Sequence, residues 1–277
     1  MENNKFAFRC YYKLKDTLGR FDSVVECNEL AVRQFVESLN CSDDKEKFFS
    51  ESYAKYGVRV NSLDSDVFHT RISQWYILSV YQQAEDFFTE FRREHPDGST
   101  WGKRNDKESQ LAGLMRVLSL NELGLDPDGQ GIRCKIFEYY RLIRNRFMHT
   151  SVNEKQLSTA LKDIEEHSVS VDNEFRVNAP NSYNSVDFDD FILFSRVTKD
   201  IAQQLCYVTK PSVSGIVEML IKRSKAEDDL DVNLKGLKVF ANNHNRLRRA
   251  LSRLLKSQYN LQESEVDAIM EELVRNW

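Results

Sequence analysis

The segment Arg144-Asn145-Arg146-Phe147-Met148-His149 combines residue types whose spacing suits a reaction at phosphorus. Breaking a phosphodiester without a metal requires a group that moves the proton of an attacking hydroxyl or of a leaving oxygen near neutral pH. Histidine is the side chain whose unperturbed pKa lies there, so His149 is the natural candidate. Negative charge also develops on the phosphoryl oxygens, and the permanently charged, fork-shaped guanidinium of Arg144 matches it. The Asn145 amide both donates and accepts, so it can orient the imidazole or bond the phosphate. One chain supplies one such histidine, whereas the reaction needs one group to take a proton and another to give one.

The element that must present these residues is a helix over Ile132 to Met148. At about 100° per residue, Ile136, Tyr140, Ile143 and Phe147 share an apolar face, whereas Glu138, Arg141, Asn145 and His149 share the opposite one. Burial of Phe147 on that apolar face would make Phe147→Ala cost about 3–5 kcal/mol. Arg141 and Arg146 flank the motif and are candidates for holding RNA phosphates. The bland alternative is a solvated helix face ending in a histidine that gains a little from the helix dipole.

The pattern resembles the HEPN superfamily, whose ribonuclease members carry Arg, four to six residues, then His, commonly with a polar residue directly after the Arg. Here that pattern runs from Arg144 through Asn145 to His149, preceded by the aromatic stretch Phe137-Glu138-Tyr139-Tyr140. The likeness extends more loosely from about Asp64 to Lys210. It implies an antiparallel four-helix bundle, a homodimer with a composite site built from two motifs, no cofactor and no catalytic metal. It also implies a toxin or antiviral defence role, RNA as substrate, and a regulatory or antitoxin protein as a further partner. Glu85 and Asp86 fall on the long preceding helix, where HEPN ribonucleases often place a polar residue facing the site. Small HEPN toxins paired with nucleotidyltransferase antitoxins usually carry Tyr two residues after the His; this chain has Ser151, which disfavours that subgroup. A noncatalytic helical module for dimerisation or partner binding is the alternative function.

Ten glycines and four prolines in 277 residues favour long helices, so the fold class expected is mainly α, with extra C-terminal helices. Three regions are expected: residues 1–62, a HEPN-like domain over 63–210, and a helical extension over 211–277. Near the N-terminus, Phe6, Phe8, Cys10, Tyr12 and Leu14 alternate with other residues, and Phe21, Ser23, Val25 and Cys27 repeat the pattern after Leu18-Gly19-Arg20. That period of two around a turn predicts a small β-hairpin. Helices are expected over 28–40 and 43–56, with Asp64 or Ser65 capping the next element. The Gly- and Pro-free stretch 66–94, with Phe68, Ile72, Trp75, Val80, Ala84, Phe87 and Phe91 at helical spacings, predicts a long core helix stopped by His95-Pro96-Asp97-Gly98. Further helices are expected over 106–120, 187–207, 216–226, 234–256 and 263–275, and a loop with one strand near Val169 and Val171 over 168–185.

The net charge of −4 argues against coating nucleic acid by bulk electrostatics but leaves room for a local basic patch. Arg246, Arg248, Arg249, Arg253 and Lys256 form such a run, which pairing with the acidic helix after Glu263 would neutralise. The five cysteines show no metal-binding spacing and are expected to be reduced, mostly buried thiols. His69, His95, His167 and His244 have no neighbours at metal-ligand spacing. With no apolar run of signal or membrane length, a cytoplasmic location is expected.

Overall fold

The computed structural model describes residues 5–61, 65–106, 108–126, 131–149, 152–167, 171, 174–224 and 234–276. The expected cap at Asp64, Ser151 and the strand at Val169 lie outside the described residues. The described residues are mainly helical and contain no strand. In chain order the helices are α1 (Arg9–Asn40), α2 (Lys45–Tyr56), α3 (Ser65–Glu94), α4 (Gln110–Val117), α5 (Glu122–Leu125), α6 (Ile132–His149), α7 (Glu154–Glu165), α8 (Phe188–Val208), α9 (Val213–Ser224), α10 (Leu234–Lys238), α11 (His244–Tyr259) and α12 (Glu263–Arg275). Short 3-10 turns occupy Pro96–Ser99 and Tyr183–Ser185. No helix among the described residues is long and apolar enough to cross a membrane.

The expected N-terminal hairpin is replaced by the first three turns and more of α1. Tyr11, Leu18, Val25, Val32 and Leu39 are all buried and recur every seven residues, a helical stripe that over a short window also satisfies alternation. Gly19 lies inside the helix without a left-handed backbone; its cost of roughly 1 kcal/mol relative to Ala does not outweigh that burial. Trp75 also departs from expectation. It is 55% exposed on α3, because the buried line Ile77, Val80, Ala84, Phe87 and Phe91 lies roughly 120–200° around the helix from it.

Chain contacts divide the protein into two compact units. Unit 1 comprises residues 1–15, 84–131 and 199–277. In it α9 and α11 pack on α12, through Leu247, Leu251, Leu255 and Tyr259 on α11 and Val266, Ile269, Met270 and Leu273 on α12, both sets at three- or four-residue spacing. The helix expected over 234–256 is broken because Asn243 starts a new one, its side chain accepting from the Arg246 amide at 3.1 Å. Arg248 pairs with Glu263 at 3.3 Å and Asp267 at 2.6 Å, so part of the basic run faces the acidic helix as expected. The Phe6 ring stacks on Tyr259, and Ala7 donates its amide to the Tyr259 carbonyl at 3.1 Å. The Glu94 carboxylate accepts from the Arg9 and Cys10 amides at 3.1 and 2.9 Å, capping α1 from 84 or more residues away. His95 is buried and satisfied, facing the Thr209 carbonyl with Nε2 and accepting the Asp97 amide with Nδ1. Gly98 is required there: a Cβ would lie 1.7 Å from the Arg92 carbonyl oxygen. Cys10, Cys134 and Cys206 are buried free thiols, while Cys27 and Cys41 are exposed.

Unit 2 comprises residues 16–83 and 132–198. Its core is aromatic and draws on α1, α3, α6 and α8: Phe21 and Tyr76 meet Phe191, and Tyr81, Phe137, Tyr140 and Phe194 form a connected set with centroids 4.8–6.0 Å apart. Helix α7 packs on α6 and begins in a capping box between Asn153 and Gln156.

Candidate functional site

Helix α6 is buried along its first three turns and leaves the core at its last. Ile132, Cys134, Ile136, Phe137, Tyr139, Tyr140 and Ile143 are buried, and beyond Ile143 every described side chain is half-buried or exposed. The anchoring is polar as well as apolar. Tyr140 donates its hydroxyl to Asp190 Oδ1 at 2.8 Å, and that buried carboxylate also accepts from the Asn181 amide and side chain and from the Asp187 amide at 2.8–2.9 Å. Burial pushes the Asp190 carboxyl up to about 6, against the pull of these four donors. Tyr139 donates to the Asn181 carbonyl, so the 178–190 segment is tied to the same helix.

The motif sits on the exposed end. Arg144 Nη1 donates to Asn145 Oδ1 at 3.0 Å and lies 3.5 Å from His149 Nε2. The guanidinium can only donate, so it bonds the imidazole at this position only through an unprotonated Nε2. The Arg144 guanidinium also lies over the Tyr81 ring, 5.2 Å from its centroid. The structure thus brings Arg144, Asn145 and His149 together, with Arg144 as the hub. Asn145 touches Arg144 rather than the imidazole.

The flanking arginines are engaged within the protein. Arg141 pairs with Glu138 at 2.5 Å. Arg146 Nη1 donates to the Val152 carbonyl at 2.7 Å, and its guanidinium lies over the Tyr183 ring at 5.6 Å. Phe147 is half-buried with the Arg71 guanidinium over its ring at 5.5 Å. It therefore sits at the edge of the core, and the expectation of a buried apolar side chain is corrected: α6 leaves the core after Ile143, about one and a half turns before its end.

Glu85 and Asp86 belong to unit 1. Glu85 is half-buried and Asp86 exposed. Among the described residues no three His, Cys, Asp or Glu side chains gather as metal ligands.

Arg71, Tyr81 and Tyr183 complete the cluster, and sequence reasoning did not single them out. Arg71 donates to Gln74 Oε1 at 2.9 Å and to the Tyr183 hydroxyl at 3.3 Å, while the buried Gln74 amide holds the Tyr183 carbonyl at 2.7 Å. Unit 2 therefore carries Arg71, Arg144 and Arg146 against phenylalanine and tyrosine faces, with His149 beside Arg144, an arrangement suited to phosphate and base contacts. No family model, curated protein or solved structure matches this chain.

Proposed function

We propose that this protein is a HEPN-type, metal-independent endoribonuclease, and that it works as a homodimer in a toxin or antiviral defence setting in the cytoplasm. The observation that carries this reading is the Arg144 guanidinium set between Asn145 and His149 at the exposed end of α6. In the proposed reaction the 2′-oxygen attacks the adjacent phosphorus and the bond from phosphorus to the 5′-oxygen breaks. His149 of one chain takes the 2′-hydroxyl proton and the same residue of a second copy gives a proton to the 5′-oxygen. Arg144 offsets charge on the non-bridging oxygens. Asn145, whose Nδ2 has no partner among the described residues, donates to phosphate. Arg141 and Arg146 line the approach of the strand, and a regulatory or antitoxin protein restrains the activity.

The products test this directly: cleaved RNA should carry a 2′,3′-cyclic phosphate and a 5′-hydroxyl, and DNA should resist. Cutting of DNA, or 5′-phosphate ends, would assign a different mechanism. A noncatalytic partner-binding module is the second reading, favoured by the exposure of Trp75 and Met148, at 55% and 50%. It requires that the purified protein leave RNA intact.

A further inference from the structure

A cleft of about 760 Å3 opens in unit 2, with Arg33, Glu37, Asn40, His69, Asn184 and Asp187 among its walls. It lies apart from the motif but is joined to it through neighbours in sequence. Thr70, which donates to the Asn184 carbonyl at 3.4 Å, precedes Arg71, and Asn184 follows Tyr183. Arg71 and Tyr183 are themselves hydrogen-bonded.

One buried group sets the geometry of the cleft. The Glu29 side chain is 4% exposed; its Oε1 accepts from Arg33 Nε at 2.8 Å and faces His69 Nε2 at 2.9 Å. A buried carboxylate is costly unless paired, so Glu29 holds Arg33 and His69 to one another's side of the cleft. Its Oε2 is buried with no partner among the described residues. Several groups of the walls remain unspent among the described residues: the Nη atoms of Arg33, the Asn40 and Asn184 amides, and Oδ2 of Asp187, whose Oδ1 caps α8 through the Asp189 amide at 2.9 Å.

The volume is that of a pocket for a nucleotide-sized ligand. Glu37 and Asp187 oppose Arg33, so the cleft lacks the uncompensated positive charge of a site for phosphate alone. Carboxylates accept from exocyclic amines and asparagine amides read the amino edge of adenine, so the mixed donors and acceptors suit a neutral, polar base. We infer that the cleft is the subsite for a base of the RNA strand flanking the scissile phosphate, with preference for bases that carry an exocyclic amine. This rests on the ribonuclease reading above.

The test uses full-length His149→Ala protein, so that RNA survives, and fluorescence anisotropy with short oligoadenylate, oligocytidylate and oligouridylate. Adenylate and cytidylate strands should bind about tenfold more tightly than uridylate. The double variant Asn40→Ala/Asn184→Ala, both exposed positions, should erase that preference while Arg144→Ala weakens all three strands alike. An unchanged preference in the double variant, or none in the parent, overturns the subsite even if the wild type cleaves RNA. A preference that survives when the wild type does not cleave leaves a base-binding cleft but overturns its place beside a scissile phosphate, together with the ribonuclease reading. Adenosine monophosphate binding as tightly as the oligonucleotide overturns the strand-binding form in favour of a free nucleotide.

Discussion

The Arg144 guanidinium lies over the face of Tyr81, 5.2 Å from the ring centroid, so an aromatic residue of α3 sets where the motif of α6 points its charge. Tyr81 is 5% exposed, which fixes the ring before any substrate arrives. Tyr81→Leu removes the π-face and should lower kcat about fivefold with little change in KM, since roughly 1 kcal/mol of guanidinium positioning is lost. Tyr81→Phe keeps the face and should retain activity. Equal losses in both variants would show that the hydroxyl, and not the ring, matters.

The two ends of α6 differ in burial, and stability measurements should register it. Ile143 is fully buried, so Ile143→Ala should cost about 2–5 kcal/mol. Half-buried Phe147 should cost about 1–2 kcal/mol when cut to Ala, chiefly through the lost contact with Arg71. Urea unfolding of both variants checks the order, and a larger loss at Phe147 would contradict the position of the core edge.

Much of unit 2 was legible in the sequence because α3, α6 and α8 contain long stretches with no glycine or proline, where a period near 3.6 has room to declare itself. The N-terminal stripe was misread because alternation over ten residues fits Tyr12 and Leu14 equally well on a strand or a helix; only the seven-residue recurrence from Tyr11 to Leu39 separates the two. Within the site, Arg144, Asn145 and His149 were visible because they share one helix. Arg71, Tyr81 and Tyr183 reach the cluster from elements distant in sequence, and Tyr183 comes from an Asn- and Ser-rich stretch without periodicity. The expected burial of Phe147 failed because periodicity gives a direction around a helix, not how far along it the core extends, whereas Trp75 failed because it lies on the far side of α3 from the buried line.

Asp190 should make stability pH-dependent in a definite sense. Its carboxyl is raised to about 6 in the folded chain from an ordinary value of 3.8, so the folded state binds the proton more readily than the unfolded one between these limits. The contribution is fully present below 3.8 and is lost as pH rises through 6. It amounts to at most about 3 kcal/mol, at roughly 1.4 kcal/mol per pH unit. Comparing urea midpoints of wild type and Asp190→Asn from pH 4 to pH 7.5 isolates it: wild type should lose stability relative to the variant as pH rises. Parallel curves would remove Asp190 as the source.

In unit 1, Gly98→Ala should destabilise by about 1–3 kcal/mol, because the added carbon would overlap the Arg92 carbonyl and force the 3-10 turn at 96–99 to shift. Gly19→Ala, with nothing within 4 Å of the new carbon and a helical setting, should instead stabilise by up to about 1 kcal/mol. Thermal melts of the two variants should therefore move in opposite directions.

The central claim is tested most directly by incubating purified wild-type, Arg144→Ala and His149→Ala proteins with RNA in excess EDTA, with helicity and melting temperature measured on the same samples. Wild type should cleave, and both variants should lose cleavage by a hundredfold or more while keeping near-wild-type folding, since both side chains lie beyond Ile143, where α6 leaves the core. Cleavage that persists in folded His149→Ala protein, or wild-type protein that leaves RNA intact, would contradict the assignment of Arg144, Asn145 and His149 as a ribonuclease site.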